Sequence, residues 1–190
     1  QSRGLGDVYK RQNSVTVPIH MTSSYQFDST DHAANLFALS ELGNIYSRIM
    51  NPTNAVFEER IAALEGGVAA LGLASGQAAS AYAIQNLCSN GDNFVASSHL
   101  YGGTYNQFKN PFSDMGIEVR FVDPSDPQNF ADATDDKTRA YYGEVLPNPS
   151  FQVFPLQEVA DLGRPLGIPL IVDNTAAPLI CRPFDHGAAI

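Results

Sequence analysis

The sequence predicts an α/β fold, with a mainly parallel sheet and helices on both of its faces. Short apolar runs, typical of buried strands, alternate along the chain with segments of helical length. Parallel strands require such crossovers, because the chain must return to the other end of the sheet before it can pair again. Of the 190 residues, 44% are hydrophobic, which is enough for a core of this kind.

The first part of the chain is predicted to be helical. From Asp28 onwards the apolar pattern is that of a helix, with Ser29 and Thr30 as possible caps. A stronger helix is predicted in the stretch NPTNAVFEERIAALEGG. There Asn51 can cap the helix, Pro52 suits its first turn, and the two final glycines end it.

The rest of the chain alternates between strands and helices. Strands are predicted at 93–97, 117–122, 138–145 and 168–173. Helices are predicted at 76–88, 104–115 and 155–167, the second of them bent or broken near Pro111. The stretch PSDPQNFADAT is predicted to be a short helix or a loop, and the small-residue run 68–74 is ambiguous between strand and helix.

Composition excludes several classes of protein. The formal net charge is −9 and the basic residues are scattered, which argues against a nucleic-acid or membrane partner. No apolar run has the length of a membrane span, and no signal-peptide pattern is present. Cys88 and Cys181 lie far apart, which suits a reducing cytoplasm better than a disulfide framework. The four histidines lack ligand spacing, so no metal is expected.

Candidate ligand-binding or catalytic residues follow four of the apolar runs. An open α/β sheet binds its ligands at these strand ends. Ser75 and Gly76 lead directly into a helix, whose N-terminal N–H groups favour an anion such as phosphate. Tyr101 precedes two glycines, and Asn148 is held between two prolines. Asp173 ends the last strand, where a buried carboxylate requires a partner.

Each of these residues also has a purely structural explanation. Ser75 and Gly76 could form an ordinary turn, and Tyr101 could be a partly buried turn residue. Asp173 could cap a helix or bind backbone amides rather than a cation. Together, however, a phosphate-type turn, an aromatic ring, a rigid amide and an acid predict a pocket for a flat, phosphorylated, nitrogen-bearing ring.

Several blocks of the sequence resemble the Cys/Met-metabolism family of enzymes, which use pyridoxal 5′-phosphate (PLP). The blocks are NIYSRIMNPTNAVFEERIAALEGG, ASGQAA, LYGGTYN, NPFSDMGIEVRFVD and IVDNTAAP. The resemblance runs from about Val15 to Ile190. It implies the large domain of a PLP-dependent transferase of the aspartate aminotransferase type, in truncated form.

The resemblance implies roles for the residues near the cofactor ring. Asp173 would pair with the protonated pyridine nitrogen, so that the ring can act as an electron sink. Tyr101 would stack on the ring and assist proton transfers, which makes it the catalytic candidate. Asn148 would donate a hydrogen bond to the ring hydroxyl, and Thr175 would lie beside the cofactor.

At the phosphate, the resemblance implies backbone N–H bonds from Gly76 and Gln77, in the turn that Ser75 opens. Tyr46 and Arg48 would reach the phosphate of a neighbouring subunit, since a guanidinium fork can bind two phosphate oxygens. The active unit would then be a homo-oligomer, commonly a tetramer in similar enzymes. The structural alternative is that Arg48 is a surface arginine beside a helix start.

Within the family, the stretch HAANLFALSELGNIYSRIMNPT resembles members that catalyse γ-replacement. The implied reaction of the full-length parent converts O-acetylhomoserine and sulfide, or a thiol, to homocysteine, or methionine, and acetate. The pocket residues do not separate it from activities of the cystathionine γ-synthase or methionine γ-lyase type. A non-catalytic phosphate-binding or assembly module is an alternative of another class.

Three segments are predicted along the chain. Residues 1–12 are a foreign or disordered head, 13–60 are an N-terminal arm with the first helices, and 61–190 are a PLP-binding large domain that is incomplete at its C-terminal end. The family attaches PLP to a lysine in a Ser-x-Thr-Lys stretch. Lys10, Lys109 and Lys137 are the only lysines and none lies in that context, so this chain alone is expected to be inactive.

Overall fold

The computed structural model describes residues 15–190, so the predicted head at 1–12 lies outside the described residues. The chain divides into two compact units. The first consists of the described residues up to Ala63 together with Val68–Gly72. The second consists of Leu64–Gly67 and Leu73–Ile190, and it contains the sheet.

The predicted caps of the two helices at the start of the chain are present. Helix α1 spans Thr30–Phe37, and the Oγ of Ser29 accepts a hydrogen bond from the N–H of His32 at 3.0 Å. Helix α2 spans Pro52–Glu65, and the Oδ1 of Asn51 accepts the N–H of Thr53 at 2.9 Å. Ser29 rather than Thr30 is therefore the cap of α1. None of the residues of α2 is buried within the described part of the chain.

The sheet has four parallel strands in the order β2-β1-β3-β4, which confirms the predicted parallel arrangement. The strands are β1 Asn93–Ser97, β2 Glu118–Val122, β3 Thr138–Glu144 and β4 Leu170–Asp173. Because all four run in the same direction, their carboxyl ends lie at one edge of the sheet. In the β3–β4 pair, Glu144 lies opposite Asp173.

The helices of the second unit are α3 Gly76–Leu87, α4 Gly102–Gln107, α5 Gln128–Asp132 and α6 Leu156–Gly163, with 3-10 turns at Arg164–Leu166 and Pro183–His186. The helix predicted at 104–115 is α4 followed by a π-helical turn at Phe108–Phe112 that contains Pro111. Proline cannot supply the N–H of a regular turn, which explains the break. The run 68–74 forms neither a strand nor a helix. No helix within residues 15–190 is both long and apolar enough to cross a membrane.

Helices cover both faces of the sheet, as predicted. On one face, Phe94 and Tyr142 belong to a buried cluster with residues of α3 and the π-helical turn. On the other face, Val95 and Tyr141 belong to a second cluster with residues of α5 and α6. The two clusters share strands because successive side chains of a strand point to opposite faces.

Packing on the first face fixes α3 against the centre of the sheet. The ring of Phe108 is fully buried and meets Phe94 and Tyr142 edge to face, with ring centroids 5.0 and 4.7 Å apart. The Tyr142 hydroxyl lies 2.9 Å from the Oγ of Ser80 on α3, so the buried polar groups satisfy each other. Burial raises the pKa of Tyr142, which keeps this hydroxyl neutral. The N-terminus of α3 is thereby held at the carboxyl edge of the sheet.

We expect Leu170→Ala to lower the free energy of unfolding by about 2–5 kcal/mol, because its side chain is only 1% exposed and a cavity would remain. The matched control is Leu166→Ala in the preceding 3-10 turn, where the side chain is 59% exposed and the expected change is within about 0.5 kcal/mol. Urea denaturation followed by circular dichroism measures both. Equal losses for the two variants would contradict this packing.

Candidate functional site

A cleft of about 400 Å³ opens at the carboxyl edge of the sheet, within the second unit. All of the candidate residues predicted in this unit line it. They are Ser75, Gly76, Gln77, Tyr101, Asn148, Asp173 and Thr175. The clustering follows from the fold, since parallel strands deliver the residues that follow them to one edge.

The N-terminus of α3 presents free donors to this cleft. Ser75 caps the helix: its Oγ accepts the N–H of Ala78 at 3.1 Å and its carbonyl accepts the N–H of Ala79 at 3.0 Å. Among the described residues, the N–H groups of Gly76 and Gln77 have no hydrogen-bond partner. A Cβ on Gly76 would meet no atom within 4 Å, so the space in front of the turn is open. The turn is therefore suited to an anion.

Tyr101 lies at the rim of the cleft, with half of its side chain exposed. Its ring folds back over Gly103, where a Cβ would approach the ring to 2.5 Å. A larger residue at position 103 would therefore displace the Tyr101 ring from its observed position. The backbone of Tyr101 is also fixed, because its N–H is bound by Glu144.

Asp173 combines a structural bond with an available oxygen. Its Oδ1 accepts the N–H of Thr175 at 2.8 Å, and its backbone carbonyl accepts the N–H of Val145 at 3.0 Å. Within residues 15–190, its Oδ2 has no hydrogen-bond partner. The structural explanation, a bond to a nearby backbone amide, thus accounts for one oxygen and leaves the other for a ligand.

Glu144 is a second carboxylate of the cleft, and sequence reasoning missed it. It is 5% exposed, and both of its oxygens accept the N–H of Tyr101, at 2.9 and 3.0 Å. Burial raises the pKa of Glu144 to about 7, and the charge of Asp173 adds to this against the opposing effect of the Tyr101 N–H. A signal was present, since the predicted strand 138–145 carries an acid one residue before its end, whereas the strand at 168–173 carries one at its end. Because Val145 follows it, Glu144 reads as an interior residue of the strand.

Tyr46 and Arg48 belong to the first unit and lie together there. Tyr46 pairs with Ser24 in an isolated antiparallel bridge, and the Cζ of Arg48 lies 5.3 Å from the centroid of the Tyr46 ring. Both side chains are exposed. This cation–π contact orients the guanidinium within its own unit. The predicted role of the pair at a neighbouring phosphate stays a prediction.

Neither lysine of the described residues lines the cleft. Lys109 lies in the π-helical turn, with its Nζ 5.8 Å from the centroid of the Tyr105 ring. Lys137 precedes the amino end of β3, where its carbonyl accepts the N–H of Asn93 at 3.1 Å. The amino end of a strand is opposite to the edge that forms the cleft.

A second groove of about 480 Å³ runs along the edge strand β2, between Tyr105, Lys109 and Phe121. It is larger than the cleft, but it does not collect the residues that follow the carboxyl ends of the central strands. Because open α/β sheets bind ligands beyond those ends, the position of the cleft outweighs the size of the groove.

The family model for Cys/Met metabolism PLP-dependent enzymes matches residues 5–190. The chain belongs to this family. The family uses PLP, and the predicted resemblance is confirmed over nearly the whole chain.

Curated relatives of this chain carry related names. An O-acetyl-L-homoserine sulfhydrylase of Leptospira meyeri is 52% identical over 178 residues, which are 93% of this chain and 40% of that protein. O-acetyl-L-homoserine sulfhydrylase 1 of Thermus thermophilus is 52% identical over 180 residues, 93% of this chain and 43% of that protein. A homocysteine/cysteine synthase of Saccharomyces cerevisiae is 49% identical over 179 residues, 93% and 40% of the two chains. The chain thus spans about two fifths of the length of the curated relatives it matches.

Solved structures confirm the predicted fold class. A structure from Campylobacter jejuni, described as an O-acetylhomoserine (thiol)-lyase, gives a TM-score of 0.90 at 39% identity and covers 93% of this chain and 44% of that one. That protein carries N′-pyridoxyl-lysine-5′-monophosphate. An O-acetylhomoserine sulfhydrylase of Wolinella succinogenes gives a TM-score of 0.70 at 36% identity, over 73% of this chain and 39% of that one.

The residues of the cleft fit PLP. A phosphate requires N–H donors, which Gly76 and Gln77 present without other partners. A protonated pyridine nitrogen requires an anion, which the available oxygen of Asp173 supplies. A flat ring requires an apolar face, which the exposed part of the Tyr101 ring offers.

Proposed function

We propose that the full-length protein containing this chain is a PLP-dependent transferase that acts on O-acetylhomoserine. It would replace the γ-acetoxy group with sulfide, or with a thiol, to give homocysteine, or methionine, and acetate. The observation that carries the proposal is the cleft, in which free N–H groups and a carboxylate with an available oxygen lie at one sheet edge. The names of the relatives, at about half identity over this segment, support the choice of substrate.

The cofactor, when bound, supplies a cationic ring that withdraws electrons from the substrate. Asp173 would keep the ring nitrogen protonated, because an adjacent negative charge favours the charged form of a base. Gly76 and Gln77 would hold the phosphate through their backbone N–H groups, and Asn148 would bind the ring hydroxyl through its amide. These contacts would fix the ring at both ends.

Tyr101 and Thr175 would act on the open side of the cofactor. The Tyr101 ring would stack on the cofactor ring, and its hydroxyl would hold or move a proton of the substrate. Thr175, which donates its N–H to Asp173, would lie beside the cofactor. In the overall reaction the γ-carbon loses its bond to the acetate oxygen and gains a bond to sulfur, and the proton of the sulfide leaves with the acetate.

We propose that Tyr46 and Arg48 complete the phosphate site of a neighbouring subunit in a homo-oligomer. Their exposed position and mutual contact in the first unit support this, because a pre-oriented guanidinium suits a phosphate. The reaction would take place in the cytoplasm. The thiols of Cys88 and Cys181 are free, which is compatible with a reducing compartment.

We expect the full-length protein to form homocysteine and acetate from O-acetylhomoserine and sulfide. The substitution Asp173→Asn should lower its kcat at least about 100-fold. Without the carboxylate, the ring nitrogen would lose the charge that makes it an electron sink. The control is Asp161→Asn, an exposed aspartate of α6 that is paired with Arg164, and its turnover should be unchanged. Acetate release with sulfide, with cysteine and without a thiol measures the activity. Near-normal turnover in Asp173→Asn, or a preference for cysteine, would contradict the proposal.

Mixing of subunits tests the role of Arg48. We expect Arg48→Ala and Asp173→Asn each to be nearly inactive, but a mixture of the two to recover about a quarter of the wild-type rate. If Arg48 serves the neighbouring site, half of randomly formed pairs are hybrids and each hybrid has one intact site. The measurement is activity after the two variants are dissociated and reassembled together. No recovery in the reassembled mixture would place Arg48 outside the neighbour's site.

A further inference from the structure

Glu144 is buried at the carboxyl end of β3 without a cationic partner among the described residues. A buried carboxylate of this kind is costly unless hydrogen bonds compensate it. Both of its oxygens accept the N–H of Tyr101, at 2.9 and 3.0 Å. It is therefore bound to the backbone of the residue whose ring lies at the rim of the cleft.

Three groups from segments that line the cleft influence the same carboxylate. Besides the N–H of Tyr101, the backbone of Asn148 and the hydroxyl of Thr104 favour its ionised form and oppose the rise in its pKa. Thr104 is buried, and its hydroxyl accepts the side-chain amide of Gln77 at 3.0 Å. The groups that act on Glu144 thus lie in the Tyr101 segment, which includes Thr104, and in the Asn148 loop. Thr104 is in turn bonded to Gln77 in the first turn of α3.

The charge state of Glu144 depends on pH near neutrality. Burial raises its pKa to about 7, and the charge of Asp173 on β4 acts in the same direction. Within residues 15–190, the other titratable group in electrostatic contact with Glu144 is Tyr142 on β3, whose pKa is raised by burial, so that it stays neutral. Above pH 7 Glu144 is ionised and accepts hydrogen bonds with both oxygens. Below pH 7 one oxygen carries a proton, and its hold on the Tyr101 N–H is weaker.

We propose that Glu144 is a positioning residue of the cleft, which fixes the backbone of Tyr101 so that its ring meets the ring of the cofactor. This assignment rests on the proposed function, in which Tyr101 stacks on that ring. The assignment goes beyond the proposed function, because it makes Glu144 responsible for the position of the Tyr101 ring although Glu144 does not itself touch the cofactor.

The test is the binding of pyridoxamine 5′-phosphate to the cofactor-free full-length protein, because this ligand binds without a covalent link and the readout is independent of turnover. We expect Glu144→Ala to weaken binding at least about 10-fold, as for the loss of a charged hydrogen bond. The control Glu158→Ala removes an exposed carboxylate of α6 and should bind as the wild type does.

The pH dependence separates positioning from a merely structural role. Glu144→Gln resembles the protonated acid in shape and charge, so the ratio of its dissociation constant to that of the wild type should be about one at pH 6 and at least about five at pH 8.5. The ligand's own titrations affect both proteins and cancel in this ratio. A ratio that is flat from pH 6 to 8.5 would overturn the proposal.

A double-mutant cycle completes the test. In the background of Tyr101→Ala, the further change Glu144→Ala should alter affinity less than about 2-fold, because the ring that Glu144 positions is gone. An undiminished loss in that background would overturn the assignment. Circular dichroism checks folding, and if Glu144→Ala does not fold, Glu144→Gln carries the same cycle at pH 8.5. A wild-type protein that does not bind the ligand would instead overturn the proposed function, and this assignment with it.

Discussion

The parallel pairing of β3 with β4, in which Glu144 lies opposite Asp173, is the constraint on which the cleft depends. It sets two carboxylates at adjacent strand ends and gives them different surroundings. Glu144 is buried and bound to backbone, whereas Asp173 keeps one oxygen available. A slip of β4 by one residue in this register would turn the side chains of β4 to the opposite face and separate the pair.

The electrostatics of the cleft match a ligand with an anionic end and a cationic end. The N-terminus of α3 carries the positive end of the helix dipole, with the free N–H groups of Gly76 and Gln77. The carboxylate of Asp173 lies on the lining of the same cleft, contributed by the end of β4. PLP has this polarity, because its phosphate is negative and its protonated ring nitrogen is positive. The arrangement disfavours ligands with the same charge at both ends.

Much of the fold could be predicted because its apolar runs are short, strand-like and bounded by glycine or proline. The helix at 104–115 was predicted with its break, since Pro111 lacks the N–H that a regular turn requires. The run 68–74 could not be assigned, because alanine and glycine have little side-chain surface with which to show a period. No strand in the described residues pairs with it.

The site residues that could be predicted are those that end a strand or follow it directly in the sequence. Asp173 was found because its strand stops there, whereas Glu144 was missed because Val145 continues the apolar run beyond it. Burial and the contact with the Tyr101 backbone are tertiary facts, which a linear pattern does not contain. The fold itself does not choose the substrate either, since similar pockets serve related reactions.

The most direct test of the account is amide hydrogen exchange in the full-length, cofactor-free protein, with and without pyridoxamine 5′-phosphate. The account predicts slower exchange at Gly76 and Gln77, whose N–H groups would bind the phosphate, and in the segments around Tyr101 and Asp173. Protection confined to the groove along β2, or no change at Gly76 and Gln77, would contradict the central claim that the strand ends form a single cofactor cleft.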